Sequence, residues 1–315
     1  MKNLDTLIIA TRKSKLALWQ SEFVKARLQE FYPDLKIKLQ EFSTKGDKIL
    51  DVPLAKIGGK GLFTKELEVA ILEGNAHIAV HSLKDVPTKF EDGLVLACVT
   101  KRFDPRDAFL SFKYKSLEDL PKNAVVGTTS LRRRMELKLL RKDLVLKDLR
   151  GNINTRIAKL EAGEYDAIIL AATGVQKLKL ENEIKYFTPI DCSLMIPSMG
   201  QAVLAIESAQ NKQIQDLVSV LHDKDAHIES SIERDFVDTL EGGCQVPIGV
   251  KATILDKENI EVQALVGLPD GSEIIKSVET YKIKDYEKIG KNLADYFISK
   301  GAKELLLRAE KMAFV

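Results

Sequence analysis

Apolar and polar positions follow two rhythms along this chain. Leu7-Ile-Ile-Ala10 is a short apolar run, and a helix is expected from Lys15, with Leu16, Trp19, Phe23 and Leu28 on one face. Ser14 stands at its N-cap. Pro33-Asp34 breaks the chain, and Ile37 to Phe42 alternates as a strand does. This β–α–β order begins a parallel sheet. A helix is then expected over Leu62 to Leu72, closed by Glu73-Gly74, and a strand over Ile78-Ala-Val80 running into His81-Ser-Leu-Lys-Asp-Val-Pro87.

The pattern returns after a turn at Phe103-Asp-Pro-Arg-Asp107, which reads as a hinge. Ala124-Val-Val-Gly127 is strand-like, Thr128-Thr-Ser130 is a cluster of cap residues, and a helix starts at Leu131. The layout of Glu73 to Ser82 recurs over Ala162 to Ala171: a helix end with glycine, then a strand. Two similarly built α/β domains facing a cleft are expected. Ile196 to Ile206 reads as a strand crossing back to the first domain, followed by a helical stretch near Ile214–Leu221. From Ala226 a third region begins. Ile232, Phe236, Val237 and Leu240 mark a helix that ends at Gly242-Gly243. Strand-like runs follow over Val250–Leu255, Ile260–Gly267 and Glu273–Val278, then a final helix over about Tyr286–Ile298, which makes a small α+β domain. The expected division is 1–100 with 198–220, then 104–195, then 222–315.

Length agrees, since 315 residues suit two or three domains. An apolar share of 45% and a charged share of 30% describe an ordinary soluble protein, and no apolar run approaches membrane-span length. The four apolar residues from Leu7 to Ala10 are too few for a signal-peptide core, so a cytoplasmic location is expected. The three cysteines, Cys98, Cys192 and Cys244, are far apart and in no CxxC pair, which argues against a disulfide framework or a zinc site. His77 and His81 are four apart with no third ligand in sight, so no metal is expected.

Candidate chemistry falls in four places. Cys244 lies in Glu241-Gly-Gly-Cys-Gln-Val-Pro-Ile-Gly249, where glycines and Pro247 favour a tight loop. A lone thiol held so suits a covalent attachment point or a nucleophile; the alternative is a small buried apolar residue. Asp85 sits just past a strand end beside Lys84, where ligands gather in open parallel sheets; the alternative is a turn-forming aspartate. Between Leu131 and Arg156 there are nine Lys or Arg and three Asp or Glu. Arg132, Arg133, Arg150 and Arg156 fall at helix starts or loops, positions that suit anions, whereas Lys138, Arg141 and Lys142 read as a solvated face. The glycine-rich loop Lys56-Ile-Gly-Gly-Lys-Gly61 lacks the spacing of a nucleotide-binding P-loop. It reads as a lid carrying Lys56 and Lys60, or as an ordinary surface loop.

Taken together these stretches resemble the porphobilinogen deaminase (hydroxymethylbilane synthase) family. The segments are Ile9-Ala-Thr-Arg-Lys-Ser14, Pro53 to Phe63, Ile78 to Pro87, Asp104-Pro-Arg-Asp-Ala-Phe109, Gly127-Thr-Thr-Ser-Leu-Arg-Arg133, Leu149-Arg-Gly-Asn152, Tyr165 to Ala171 and Glu241 to Gly249. They stand in family order over nearly the whole chain. The resemblance implies two domains of the periplasmic-binding-protein (type II) kind and a third carrying the cysteine. It implies a dipyrromethane cofactor joined to Cys244 by a thioether, with Lys84, Asp85, Thr128, Ser130, Arg132 and Arg133 binding it. Arg12, Ser14, Arg150 and Arg156 are implied for substrate carboxylates, Asp85 as the catalytic carboxylate, and porphobilinogen as the substrate. A monomer that binds neither nucleic acid nor membrane is expected.

Three places depart from the family pattern, one of them Arg134-Met135, which differs from common members and leaves Arg134 out of the expected site. Ala202 replaces the last glycine of Gly-Gln-Gly, and Lys177 stands where many members carry arginine. A non-catalytic two-lobed anion-binding protein is the rival reading. It accounts for the arginines and the twin domains but not for Cys244 on its glycine loop. A nucleic-acid binder is disfavoured, since a basic surface excess is lacking and no aromatic residues for stacking interleave the basic stretch.

Overall fold

The computed structural model describes residues 4–48, 61–242 and 246–313. Cys244, Lys56 and Lys60 lie outside the described residues. The described chain forms two compact units, one of 4–48, 61–103 and 202–227, the other of 104–201, 228–242 and 246–313.

In the first unit β1 (Thr6–Arg12) is followed by α1 (Lys15–Phe31), β2 (Lys36–Phe42), the single turn α2 (Lys45–Lys48), α3 (Lys65–Leu72), β3 (Ile78–Ser82) and β4 (Leu94–Val99). β1 runs parallel to both β2 and β3. Both faces of this sheet are covered. Val24 and Leu28 of α1 pack with Leu7, Ile9, Ile78 and Val80, while Leu67, Ala70 and Ile71 of α3 pack with Ala10 and Ala79. Trp19 stacks on Phe23 at 5.3 Å, with Phe103 edge-on to both.

The second unit holds β5 (Asp107–Ser111), β6 (Val125–Gly127), α4 (Leu131–Leu140), β7 (Val145–Lys147), α5 (Ile153–Glu161), β8 (Ala167–Ala171), α6 (Ala172–Lys177) and β9 (Tyr186–Pro189). The chain then returns to the first sheet as β10 (Leu204–Ala209), which is antiparallel to β3 and β4. The two five-stranded sheets share one plan among the described residues: β2-β1-β3-β10-β4 and β7-β6-β8-β5-β9. Each has a parallel core and a fourth strand running against it, β10 in one and β5 in the other. The twin α/β domains expected from the repeated pattern are present.

After β10 come α7 (Lys212–Val218) and α8 (Lys224–Thr239), then the antiparallel sheet β11 (Ile248–Ile254), β12 (Asn259–Gly267), β13 (Ile274–Lys282), and finally α9 (Tyr286–Ser299) and α10 (Ala302–Ala313). Ile232 and Phe236 of α8 pack with Val250, Val262, Ile289, Phe297 and Leu305, the Phe236 and Phe297 rings meeting edge-on at 5.1 Å. This is the expected small α+β domain.

Three expectations change. Ile196 to Ile206 is not one strand, and β10 starts only at Leu204. Pro197 lacks an N–H, and Gly200 and Ala202 sit at φ of 63° and 67°, outside the extended region. Helix α9 is not the last, because Gly301 at φ 91° turns the chain into α10. β13 runs to Lys282, beyond the Val278 expected, its exposed residues giving little apolar signal at that end.

Candidate functional site

In a parallel sheet, the residues just past the strand ends come off one edge. In the first unit β1 and β3 bring Arg12, Ser14, Lys84 and Asp85 to that edge. Ser14 caps α1, its Oγ accepting from the Ala17 N–H at 3.3 Å. Arg12 is half-buried, its guanidinium over the Phe63 ring at 4.4 Å. That contact covers one face of the cation.

Lys84 and Asp85 lie on a single 3-10 turn, Leu83–Asp85, directly after β3. Buried Leu83 anchors this turn, its N–H donating to the Val203 carbonyl at 2.9 Å. Ser82 accepts from Gln20 Nε2 of α1 at 2.8 Å. Lys84 and Asp85 themselves are half-buried. A carboxylate so placed has a rigid base and an accessible end.

In the second unit three strand ends contribute. Past β6, Ser130 caps α4 by accepting from the Arg133 N–H at 3.4 Å, and Thr128 is buried, its Oγ1 accepting from the Ser130 N–H at 3.3 Å. Thr129 ties this loop to the next, donating to the Leu149 carbonyl at 2.7 Å and accepting from the Leu149 N–H at 3.1 Å. Past β7, half-buried Arg150 precedes α5, whose cap Asn152 accepts from the Thr155 N–H at 2.9 Å. Arg156, in the first turns of α5, is oriented by an Nε–H bond to the Gly151 carbonyl at 2.7 Å. The structure therefore gathers Thr128, Ser130, Arg150 and Arg156 at one edge, beside two helix N-termini, an arrangement that favours carboxylates. Lys177 ends α6.

Arg132 and Arg133 differ from the expectation that they present their charge to a ligand. Both side chains turn inward and are buried. Arg132 meets Asp107 Oδ2 and Glu136 Oε2, each at 2.8 Å, and donates to the Ile196 carbonyl at 2.8 Å. Arg133 meets Asp107 Oδ1 at 2.7 Å and donates to the Ile169 carbonyl at 3.0 Å. Gln201 Nε2 adds a third donor to Asp107 at 3.0 Å. Full burial alone pushes the Asp107 carboxyl up, but the charges of Arg132 and Arg133, with the Arg133 and Gln201 hydrogen bonds, outweigh it and hold it well below the usual carboxylate range. Burial pushes Glu136 the other way, up to about 8, against the pull of Arg132. These two arginines hold β5, α4 and the 196–201 segment together.

The sequence reading missed Asp107 and Glu136. The available signals were the Arg132–Glu136 spacing of four on a helix and an aspartate opening the apolar run Asp107-Ala-Phe-Leu-Ser111. Cys98 is buried as expected, its thiol pushed up to about 12 by burial, which makes it unreactive. His77 and His81 have separate partners: His77 Nδ1 accepts from the Ile8 N–H at 2.9 Å, and His81 meets Glu207.

Comparison with known proteins follows the same segments. The family model "Porphobilinogen deaminase, dipyromethane cofactor binding domain" matches residues 7–216, and "Porphobilinogen deaminase, C-terminal domain" matches residues 227–299. The porphobilinogen deaminase of Aliarcobacter butzleri is 73% identical over 99% of this chain and 100% of its own length. That of Sulfurimonas denitrificans is 57% identical over 98% of this chain and 99% of its own. Among solved structures, the periplasmic aliphatic sulphonate binding protein SsuA from Escherichia coli aligns with a TM-score of 0.40 at 14% identity, covering 76% of this chain and 71% of that one. Matched from residue 7 to residue 299 by the two family models and over almost its full length by these relatives, the chain belongs to the porphobilinogen deaminase family.

Proposed function

We propose that this chain condenses four porphobilinogens head to tail onto an enzyme-bound dipyrromethane, releasing one ammonia for each, and then hydrolyses off the linear tetrapyrrole hydroxymethylbilane. The reading rests on 73% identity over 99% of the chain to a porphobilinogen deaminase, together with a cofactor-binding family domain over residues 7–216.

The donor set fits a dipyrromethane. Such a group carries acetate and propionate side chains, which call for fixed cations and hydroxyls. Half-buried Arg150 and Arg156, the cap hydroxyl of Ser130 and the edge residue Lys84 supply that chemistry. The cofactor, on the Cys244 sulfur, supplies a pyrrole carbon with a free position for bond formation. Thr128 shapes the same loop, and Arg12 and Ser14 take substrate carboxylates. Arg132 and Arg133 serve the cofactor chiefly by fixing α4, since both already pair with Asp107.

Asp85 does the charge work. When the C–N bond of porphobilinogen's protonated aminomethyl group breaks, the nitrogen keeps the electron pair and its three protons and leaves as ammonia. Positive charge then spreads over the pyrrole and its methylene. A fixed carboxylate at the pyrrole N–H stabilises that charge as it develops. The same group takes part in the proton movement at each coupling.

We divide the chain into domains at 1–100 with 198–220, 104–195 and 222–315. We place it in the cytoplasm as a monomer. Among the described residues Cys98 and Cys192 are free thiols, in keeping with a reducing compartment, and no described helix is long and apolar enough to cross a membrane.

The test is single-turnover release of ammonia from porphobilinogen by protein whose mass carries one dipyrromethane. Cys244→Ser is expected to lose the added mass, whereas Cys98→Ser keeps it. Asp85→Asn keeps shape but removes charge, and its ammonia release is expected to fall by roughly two or more orders of magnitude. An Asn variant as fast as wild type makes Asp85 a turn residue and overturns the mechanism.

A further inference from the structure

The first sheet carries a buried histidine–carboxylate pair that the mechanism above does not use. His81 Nε2 meets Glu207 Oε2 at 3.0 Å, with His81 5% exposed and Glu207 not exposed at all. They are diagonal neighbours on one face, because Ala205 of β10 stands opposite His81 and Glu207 lies two residues on. Ala79, which stands opposite Glu207, packs in an apolar cluster with Ala10, Leu67 and Ile71. The second carboxylate oxygen of Glu207 is buried and finds no hydrogen-bond partner among the described residues. Glu68 of α3 also faces the pair, its carboxyl pushed up by burial and further by the charge of Glu207.

Such a pair is a poor device for stability. Removing polar, ionisable groups from water costs about as much as their interaction returns, and apolar side chains of similar volume often do as well or better. Its directionality is what an apolar contact lacks. A hydrogen bond from a ring nitrogen fixes the orientation of residue 81, and Asp85 follows four residues later. On the opposite face Gln20 holds Ser82, and the Leu83 N–H is tied to Val203. The root of the Lys84–Asp85 turn is thus held from both faces of the sheet and from β10.

We propose that His81 and Glu207 form a positioning dyad for Asp85, fixing the end of β3 against β10 so that the Leu83–Asp85 turn leaves the sheet in one orientation. The inference rests on the role given to Asp85 above. A carboxylate displaced by about 1 Å loses much of its effect on a developing charge, on the order of 100-fold in rate.

The experiment uses cofactor-loaded protein. The double variant His81→Leu/Glu207→Leu removes the pair without leaving an unpaired charge, so it is expected to melt at or above the wild-type temperature and to keep the cofactor mass. Ammonia release is expected to slow roughly 10-fold or more with little change in KM for porphobilinogen. Amide exchange at Lys84 and Asp85 is expected to quicken. His81→Gln, which retains an N–H donor towards Glu207, is expected to recover most of the rate. A folded double variant with wild-type rate and wild-type exchange overturns the proposal and leaves the pair as core filler. If the double variant does not fold, Glu207→Gln decides on the same two readouts. Wild-type protein that releases no ammonia sinks the assigned activity instead, and amide exchange alone then decides whether the dyad holds the turn.

Discussion

Asp107→Asn tests how the arginines at the start of α4 are used. Asp107 is unexposed and takes Arg132 at 2.8 Å, Arg133 at 2.7 Å and Gln201 at 3.0 Å. Asparagine keeps the shape and one acceptor, but it removes the charge and turns an N–H₂ towards Arg132 or Arg133. The nearest acidic group left to Arg132 is then Glu136, which burial pushes up to about 8, so it is largely protonated at pH 7. Breaking a buried ionic network on one side typically costs about 3–5 kcal/mol, a large share of the roughly 5–15 kcal/mol that holds a domain folded. The assay is urea unfolding followed by circular dichroism, fitted for more than one transition because the chain has several domains. The loss is expected in the transition of the second unit. It also carries a pH sign. The folded carboxyl titrates below its unfolded value of about 4, so its stabilisation is present above that pH and fades as acid protonates it. The gap between wild type and variant is therefore widest near neutrality and closes in acid. Equal urea midpoints at pH 7 refute the claim that this network holds the unit together.

Further outcomes follow from neighbouring features. Glu136 has the opposite sign: its raised value means stability complete below about 4.5 and lost as pH rises through about 8, so Glu136→Gln is expected to flatten the alkaline decline of the urea midpoint. Arg156→Leu and Arg150→Leu each remove a charge-assisted contact worth about 1.5–3 kcal/mol, expected as intermediates stalled at different chain lengths on native gels; normal elongation in both makes them surface residues. Ala202 adopts φ 67°, which costs a residue with a Cβ roughly 1 kcal/mol, so Ala202→Gly is expected to raise stability by up to about 1 kcal/mol, less the entropy glycine adds to the unfolded chain. A Cβ on Gly46 runs into the Phe63 ring, so Gly46→Val is expected to displace the ring from Arg12 and raise KM for porphobilinogen.

Several features were legible in the residues alone because they depend on local spacing. Period-two and period-3.6 patterning marked β1, α1, β3 and the strands of the α+β domain. The repeated layout marked the twin α/β construction, and ordered motifs marked the family. Ser14 and Ser130 were readable as caps because a cap is formed within four residues. Tertiary structure alone decided where charged side chains point. Arg132, Arg133, Arg150 and Arg156 look alike in sequence, all basic and all near helix starts. The fold turns the first two onto Asp107, which begins a strand 25 residues away from Arg132, and sets the other two at a sheet edge. The pairing of His81 with Glu207, 126 residues apart, arises in the same way, because β10 returns to lie beside β3. Local pattern specifies which element forms; which charge is buried and what neutralises it depends on strands meeting across the whole chain.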